Sequence, residues 1–387
     1  MSITSIIAEY NPFHFGHKFH IERTKTLSGG APVVAVMSPN FVQRGDFALV
    51  PKAVRTAAAL QGGCDLVLEL PTPYALSSAG NFAAAAVGLI NSLSVCTHLS
   101  FGSECADISL LQEVARALET PECKERFRVH IDAGRSFADA QGRALGDISP
   151  DFSAVYGAPN NLLGIAYLRA IQQQGAALTP MTIAREGAQH HDMLAAGTFA
   201  SASALREKAL AGEDISAYLP GYTLPFIADA SRCDLAIVSY LKRLSKDDFA
   251  KLPDCAEGFS NRLFKAVQNE YTFKAICSKA KTKRYAHARI RRSLLCLYLG
   301  IDGNMASLPV PYVRVLGFNA AGQQILRQIK AHCPLPILTK PAHAKKLTGC
   351  ARELFDAEVL ATTLYQLACP SPENMRSEWQ YTPVVMP

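Results

Sequence analysis

The sequence predicts an α/β protein with a parallel sheet in its N-terminal part, followed by a mainly helical region and a small α/β tail. The first observation is that short apolar runs alternate with longer segments of helical periodicity over residues 3–101. The second is composition. Hydrophobic residues make up 49% and charged residues 19% of the 387 residues, which supplies a sizeable core and excludes a disordered chain.

The apolar runs have the length of buried strands, and the segments between them have the length of helices. The predicted strands are residues 3–8, 32–37, 65–70 and 96–101, and the predicted helices are 17–26, 51–61 and 79–92. Strands and helices that alternate in this way form βαβ units, whose strands pair in parallel. Ligands bind such sheets beyond the carboxyl ends of the strands, where polar loops occur at 9–16, 38–46, 71–78 and 102–104.

The remaining chain divides near a segment that contains Pro and Gly, at residues 219–224. Before it, residues 107–220 are predicted to be mostly helical. After it, helical patterns continue to about residue 300, and VRVLGF at 313–318 begins the predicted tail. We therefore expect one domain over residues 1–220 and a second over 221–387.

Composition also predicts the compartment. The 11 cysteines are scattered, odd in number and without a CxxC pair, which favours buried reduced thiols over disulfides or a zinc site. No signal peptide and no apolar stretch long enough to span a bilayer is present, so we expect a cytoplasmic protein without a membrane partner. The oligomeric state has no signal in the sequence.

The segment IIAEYNPFHFGHKFHI, at residues 6–21, carries the clearest chemical signal. It predicts a strand, a loop with the pattern HxGH, and a helix. Gly16 leaves room for a nucleotide beside the backbone, and His17 lies near a helix N-terminus, which attracts phosphate. His14 and His17 can both donate hydrogen bonds to oxygens of an α-phosphoryl group under attack, whether neutral or cationic.

Two other interpretations of these histidines remain open. They can be structural residues of an ordinary loop. Together with His20 they can also form a zinc site, although no cysteine lies nearby and the only adjacent acids are Glu9 and Glu22.

The HxGH pattern resembles the HIGH signature of class I aminoacyl-tRNA synthetase-like nucleotidyltransferases. Such enzymes have a second phosphate-binding motif, one form of which is ISSTxxR, and ASASALR at residues 200–206 is similar to it. Ser201 and Ser203 precede a predicted helix, where with Arg206 they can hold β- and γ-phosphates. Ala204 replaces the threonine of the pattern, and an ordinary capped helix is the alternative.

The resemblance extends over nearly the whole chain and points to the bacterial tRNA(Met) cytidine acetate ligase family. It rests on the ordered segments AEYNPFHFGH, MSPNFVQRGD, DLVLELPTPYALSSAGNFA, LSFGSE, PNNLLGIAYL, KTKRYAHARIRR and YVRVLGFN. One departure is Pro39, where the family usually has glycine, so we expect this loop to differ locally.

This resemblance implies a Rossmann-like HIGH-motif nucleotidyltransferase domain over residues 1–220, which binds ATP, and a tRNA-binding domain over 221–387. The implied reaction activates acetate with ATP to acetyl-adenylate and pyrophosphate, without acetyl-CoA. The acetyl group then passes to N4 of the wobble cytidine, position 34, of elongator tRNA(Met). Mg²⁺ is expected with the ATP phosphates, but no acidic cluster in the sequence identifies ligands for it.

The resemblance also implies site residues. The catalytic residues are expected to be His14, His17 and Arg44. The ATP site is expected to comprise Ile7, Ala8, Glu9, Tyr10, Asn11, Pro12, Phe13, His14, Gly16, His17, His20, Gly102, Asn160, Asn161, Arg185, Ser201, Ser203 and Arg206. Gly102 is placed in a turn after a strand, where a side chain would clash with the adenine or ribose.

The loop at residues 38–46 follows the second predicted strand, so we expect Asn40, Gln43 and Arg44 to face the same crevice as a pocket for acetate or cytidine. The guanidinium of Arg44 suits either the acetate carboxylate or a tRNA phosphate. A structural ion pair of Arg44 with Asp46 or Glu69 is the alternative.

Residues 271–301 form a basic tract that contains no Asp or Glu and carries a charge of +8, more than the chain's net +6. The predicted tRNA-binding residues within it are Lys279, Lys281, Lys283, Arg284, Tyr285, Arg289, Arg291 and Arg292. Tyr285 and His287 offer surfaces on which a base can stack. A solvated charged face is the alternative, although such faces usually mix both signs.

Two other functions remain possible at this point. One is a small-molecule adenylyltransferase of the same fold, which does not explain an acid-free basic tract. The other is an RNA-binding protein without catalysis, which does not explain an intact HxGH pattern. A requirement for acetate in pyrophosphate release distinguishes the three.

Overall fold

A computed structural model describes residues 2–185, 200–255 and 258–387. Its centre is a sheet of eight strands in the order β10-β8-β5-β2-β1-β6-β7, with β9 beside β8. Strands β3 and β4 form a separate hairpin. The strands are β1 Thr4–Ala8, β2 Val33–Met37, β3 Phe41–Val42, β4 Asp46–Phe47, β5 Leu66–Glu69, β6 His98–Ser103, β7 Thr179–Ala184, β8 Val313–Phe318, β9 Ile337–Leu338 and β10 Val384–Val385. The described strands pair in parallel except at β5–β8 and in the hairpin.

Helices cover the sheet and build the rest of the described chain. They are α1 Phe15–Leu27, α2 Lys52–Gln61, α3 Thr72–Ala75, α4 Ala79–Ser92, α5 Ile108–Ala117, α6 Pro121–Asp132, α7 Phe137–Gly146, α8 Pro150–Tyr156, α9 Pro159–Gln174, α10 Ala202–Leu210, α11 Asp234–Lys242, α12 Lys246–Ala250, α13 Phe259–Asn269, α14 Phe273–Ala280, α15 His287–Tyr298, α16 Gly303–Ser307, α17 Ala320–His332, α18 Pro341–Ala344 and α19 Gly349–Gln366. No helix among the described residues is both long and apolar enough to cross a bilayer.

The predicted α/β fold with a parallel sheet is confirmed. The predicted strands appear as β1, β2, β5 and β6, and the predicted helices as α1, α2 and α4. Local chemistry explains why these elements form. The Ser78 hydroxyl caps α4, and the alanines of that helix allow close packing on the sheet and on α9. At Gly164 of α9, a Cβ would lie only 2.5 Å from the Phe101 ring.

Two parts of the chain differ from their expected arrangement. Residues 179–184, expected within a mostly helical region, form strand β7 at the edge of the sheet, where only Ile183 is buried. The strands of the C-terminal α/β tail join the N-terminal sheet, because β8 is buried and pairs antiparallel with β5. A single sheet thus includes residues on both sides of position 220, and the two-domain division stays a prediction.

The buried guanidinium of Arg55, on α2, forms hydrogen bonds with the backbone at the strand ends where the site is expected. It donates to the carbonyl oxygen of Glu9 at 2.7 Å, of Ser38 at 2.9 Å and of Val50 at 3.1 Å, and also to that of Pro39. Arg55 has no exposed surface. The ends of β1 and β2 are therefore held by one side chain.

A buried cluster of charged side chains joins α2 and β5 to the C-terminal part of the chain. Lys52 pairs with the carboxylates of Glu69 and Glu378, and Arg314 lies 3.6 Å from the second oxygen of Glu378. The nearby carboxyl of Glu358 accepts hydrogen bonds from the backbone and hydroxyl of Thr72. Burial, then the charge of Glu69, raises the pKa of Glu358 to about 8.

We predict that Arg55→Lys lowers the free energy of unfolding by about 2–4 kcal/mol, because an ammonium cannot reach all the carbonyl oxygens and leaves some unpaired. Urea denaturation measures the change. The matched control is Arg126→Lys, at an exposed ion pair with Glu122, where the change should stay within about 0.5 kcal/mol. Equal small effects at both positions would contradict the anchoring role of Arg55.

We also predict that Glu358 makes the protein less stable as the pH rises from about 5 to 8. Between the ordinary pKa of 4.5 and the raised pKa of about 8, the unfolded chain releases the proton while the folded protein keeps it. Ionisation thus favours the unfolded state over this range. In Glu358→Gln, the unfolding free energy should fall by about 1–3 kcal/mol less than in the wild type over this pH range. The measurement compares the unfolding free energies of both proteins at pH 5, 6.5 and 8. Parallel pH profiles of the two proteins would be the contrary result.

Candidate active site

The loop after β1 is fixed by side chains from distant parts of the chain. Asn11 Oδ1 accepts a hydrogen bond from the backbone of Leu49 at 2.7 Å. Arg206 donates to the carbonyl of Asn11 at 2.7 Å, and the Tyr222 hydroxyl donates to that of Phe13 at 2.6 Å. This loop, which includes the expected ATP-site residues Tyr10 and Pro12, therefore has a defined shape before any ligand binds.

His14 and His17 lie together at the N-terminus of α1, with ring centroids 3.9 Å apart. His14 Nδ1 accepts from the Gly16 backbone at 3.0 Å, and His17 Nδ1 accepts from the His14 backbone at 3.3 Å. Because Nδ1 is an acceptor in both neutral rings, the proton of each lies on Nε2. Among the described residues, the buried His14 Nε2 has no hydrogen-bond partner, so its hydrogen-bonding capacity is unused in this structure.

Both rings are neutral at physiological pH. Burial, with contributions from Arg185 and Arg206, lowers the pKa of His14 to about 4. Burial and the neighbouring His14 hold the pKa of His17 well below its usual range. Of the two charge states allowed by the sequence, the structure favours neutral donors.

His20, one turn further along α1, is engaged with the sheet. Its Nε2 lies 3.1 Å from Ser100 Oγ, which is 2.7 Å from Thr24 Oγ1. Burial lowers the pKa of His20 to about 4. Among residues 2–185, 200–255 and 258–387, no group of three His, Cys, Asp or Glu side chains is placed to hold a metal ion.

The predicted second motif reaches the same site. Ser201 Oγ caps α10 by accepting from the Ala204 backbone at 3.2 Å. Ser203 Oγ accepts from Arg206 at 3.1 Å and from the exposed Arg44 at 2.9 Å. Two guanidinium groups thus converge on one hydroxyl beside the loop that carries His14.

Within the structure described, the alternative ion pairs of Arg44 are not formed. Asp46 pairs with Arg291 at 2.8 Å, and Glu69 pairs with Lys52. The remaining acid near Arg44 is Glu9, whose Oε1 accepts from the Gln43 backbone at 2.8 Å. Burial raises the pKa of Glu9, and the charges of Arg206 and Arg44 oppose this rise.

The Asn40 amide has partners outside the crevice in this structure, and its expected place in an acetate or cytidine pocket stays a prediction. Its side chain is buried, donates to Thr362 Oγ1 at 3.2 Å and accepts from the Lys52 backbone at 3.0 Å. The amide is occupied in anchoring the loop to α19 and α2. Gln43 stays beside the site, where its side chain donates to the Ser77 carbonyl at 3.4 Å.

Gly102 and Arg185 contact each other at the edge of the sheet. Gly102 lies inside β6 and not in a turn after it, and a Cβ there would be 3.0 Å from the Arg185 side chain. Arg185 donates to Asn160 Oδ1 at 2.6 Å. Gly102 was expected to lie close to the nucleotide, but in this structure it lies close to Arg185. Arg185 is itself the residue expected to reach a phosphate.

Glu104, which sequence analysis did not single out as a site residue, organises the start of α9. Its carboxylate accepts from the backbones of Asn160 and Asn161 at 3.1 Å and 2.8 Å, and from the Asn160 amide. Although partial burial works against it, these hydrogen bonds lower the pKa of Glu104. The Asn161 side chain is buried and bonded to the backbones of Glu104, Cys105 and Val155 in this structure, and its expected bond to a nucleotide stays a prediction.

The basic tract separates into an exposed part and a docked part. The exposed basic side chains are Lys274, Lys279, Lys281, Lys283, Arg284 and His287. Tyr285 is 6% exposed and packs on Phe259 with ring centroids 4.7 Å apart, so its ring is not an open surface in this structure, and its expected stacking role stays a prediction. The Tyr285 ring, which follows the end of α14, packs in the core with residues of α13 and α15.

The three arginines of α15 contact protein as well. Arg291 donates to the Gly45 carbonyl at 2.9 Å, and Arg292 to that of Gln43 at 3.0 Å. Arg289 donates to the Asp254 carbonyl and lies 4.4 Å over the Phe259 ring. Arg291 and Arg292 thereby dock α15 against the loop that carries Arg44, and no local pattern in the sequence indicates this contact.

Comparison with known proteins agrees with this geometry. The family model described as HIGH Nucleotidyl Transferase matches residues 1–380. The tRNA(Met) cytidine acetate ligase of Caldanaerobacter subterraneus subsp. tengcongensis is 39% identical over 386 residues, covering 95% of this chain and 96% of the relative. That of Clostridium perfringens (strain ATCC 13124) is 34% identical over 406 residues and covers all of both chains.

Solved structures of Thermotoga maritima TmcAL are also similar, at 28% identity and with full coverage of both chains. The form bound with alpha-thio ATP superposes with a TM-score of 0.90, and the apo form with 0.91. The family expected from the sequence is thereby confirmed. The chain belongs to the HIGH nucleotidyl transferase family and, within it, to the tRNA(Met) cytidine acetate ligases.

Proposed function

We propose that this protein activates acetate with ATP and transfers the acetyl group to N4 of the wobble cytidine, position 34, of elongator tRNA(Met). The observation that carries the proposal is the pair of neutral imidazoles at the N-terminus of α1, with the Nε2 of His14 buried and unpartnered within the described structure. The names of the relatives and the ATP analogue in the TmcAL structure support the same reaction.

In the first step, an acetate oxygen attacks the α-phosphorus of ATP, and the bond to pyrophosphate breaks. The Nε2–H groups of His14 and His17 donate to the α-phosphate oxygens, where charge accumulates. Neutral imidazoles suit this task because they stabilise the developing charge without holding the product as tightly as a cation would. The N-terminus of α1 adds free backbone donors to the same place.

The departing phosphates lie toward α10 in this proposal. Arg44 and Arg206 already converge on Ser203, so both guanidinium groups can turn to phosphate oxygens. Arg185 carries a third positive charge at the edge of the sheet. The described residues hold no cluster of carboxylates for Mg²⁺, so we assign any Mg²⁺ to the phosphates of the bound ATP.

In the second step, N4 of cytidine attacks the acetyl carbonyl, AMP leaves with the bonding electrons, and N4 releases one proton. The cytidine has to leave its stack to reach the strand ends. The exposed basic residues after α14 favour an RNA acceptor over a small molecule, because their charge suits a phosphate backbone. Purified protein, ATP, radiolabelled acetate and bulk bacterial tRNA, without acetyl-CoA, should yield N4-acetylcytidine on nucleoside analysis. Unlabelled tRNA would contradict the proposal.

We predict that His14→Asn lowers the rate of acetyl-adenylate formation by about 10²–10³-fold. The asparagine oxygen can still accept from the Gly16 backbone and cap α1, but it provides no donor at the position of Nε2. Acetate-dependent pyrophosphate exchange measures the rate, and thermal denaturation should show nearly unchanged stability. A stable variant with a near-normal rate would remove His14 from the mechanism.

We further predict that replacing Lys279, Lys281, Lys283 and Arg284 together by Gln weakens tRNA binding and spares acetyl-adenylate formation. Each lost phosphate contact should reduce the slope of log affinity against log salt by about 0.7–0.9. The matched control removes four exposed lysines elsewhere, at Lys330, Lys340, Lys345 and Lys346. Equal losses in both variants would indicate general electrostatic attraction and not a tRNA site.

A further inference from the structure

A cavity of about 180 Å³ lies between the β3–β4 hairpin and the helices α11, α14 and α15. Its walls are mostly apolar and include Phe47, Ile237, Phe273 and Leu295. The flat ring of Phe273 lies 5.6 Å from the guanidinium of Arg291, which also lines the cavity. An aromatic ring and a guanidinium are the surfaces on which unstacked bases lie in RNA-binding proteins.

The lining of this cavity carries charges of both signs, because Asp46 and Asp234 line it together with Lys274 and Arg291, and Asp46 pairs with Arg291. Lys274 lines it, and in the part of the chain that the structure describes no carboxylate pairs with the Lys274 ammonium, which is exposed. The exposed residues Lys279, Lys281 and Lys283 lie at and just after the C-terminal end of α14, the helix that carries Lys274. A phosphate next to a base in the cavity would therefore meet positive charge.

A second cavity of similar size provides the contrast. It measures about 190 Å³ and is lined by Asp302 and Glu353, with no Lys or Arg among its lining residues. Volume alone does not distinguish the two cavities, whereas charge does. Of these two cavities, the one beside α14 has cationic side chains, Lys274 and Arg291, among its lining residues.

The hairpin that forms one wall of the cavity beside α14 also carries Arg44 of the active site. Gly45 lies so close to α15 that a Cβ would be 2.5 Å from the Arg292 backbone nitrogen, and its φ of +72° also favours glycine. Arg291 donates to Gly45 and pairs with Asp46 at 2.8 Å. The docked loop that lines the cavity with Gly45 and Asp46 is thus the same loop that carries Arg44.

We propose that this cavity binds one unstacked base of the tRNA anticodon loop, other than the cytidine that is acetylated. This inference rests on the proposed function and adds a second base-binding site to it. The base lies between Phe273 and the apolar wall, and Lys274 contacts its phosphate. The same hairpin lines the cavity and carries Arg44, so a base held in the cavity positions a neighbouring nucleotide for entry at the strand ends. The cavity thereby contributes to the selection of the tRNA.

The test fills the cavity from its rim with Ser231→Trp, because Ser231 is exposed and lines the opening. The matched control is Leu308→Trp, which fills the acidic cavity from an exposed position. The probe is the anticodon stem-loop RNA of elongator tRNA(Met), intact or with one loop base removed at a time. Fluorescence anisotropy at 150 mM salt measures affinity, and pyrophosphate exchange with acetate measures adenylation.

We expect Ser231→Trp to weaken binding of the intact stem-loop by about tenfold or more, while Leu308→Trp binds normally and all three proteins adenylate acetate equally. Removal of one particular base other than the target should weaken binding to wild type and not to Ser231→Trp. Lys274→Glu should reproduce the loss of affinity, which keeps the test valid if the tryptophan variant is unstable.

Other outcomes overturn the inference in distinguishable ways. If Ser231→Trp and Lys274→Glu bind RNA normally while wild type acetylates tRNA, the cavity is not a base site and the proposed function stands. If Ser231→Trp also loses adenylation, the cavity supports the catalytic loop and does not bind RNA. If wild type neither binds the stem-loop nor adenylates acetate, the proposed function fails together with the inference.

Discussion

The placement of the whole site depends on one buried guanidinium. Arg55 donates hydrogen bonds to the carbonyl of Glu9 at the end of β1, to those of Ser38 and Pro39 after β2, and to that of Val50 before α2. Burial lowers the pKa of Arg55 to about 10, which leaves the group charged at physiological pH. A planar donor with five N–H groups suits a place where several backbone carbonyls converge. The spacing of the two loops that carry the expected catalytic residues follows from this contact.

The C-terminal part of the chain completes that arrangement. Lys52 starts α2 and pairs with Glu378, and Asn40 reaches Thr362 on α19. The Tyr365 hydroxyl donates to the Ala48 carbonyl at 2.8 Å. The loop after β2 is therefore held between the sheet and a helix that lies more than three hundred residues away in sequence. Docking of α15 on the same loop adds a second support, so the site is a property of the entire described chain.

Electrostatics around the site follow from burial. The imidazoles of His14 and His17 are neutral because they are buried near arginines, while those arginines keep the site positive. Glu9 is the acid that faces Arg44 and Arg206. The proposed function gives these groups two separate tasks, with the histidines acting on the reacting phosphorus and the arginines on the departing charge.

Local sequence determined the elements and the position of the site. Apolar periodicity predicted β1, β2, β5, β6 and the helices between them. Buried strands and helices leave different spacings of apolar residues in the sequence, and polar loops separate them. The loop after β1 was identified by the HxGH pattern, and the basic tract by its missing acids. These features depend on neighbours in the chain, so they can be predicted without a fold.

Only the tertiary structure decided which polar groups remain available to a ligand. Asn40 and Asn161 look like site residues by position, yet partners elsewhere in the fold occupy their amides. Tyr285 turns inward, and Arg291 and Arg292 dock a helix although they belong to a charged tract. The physical reason is that a buried polar group must be paired, and its partner is chosen by packing across the molecule.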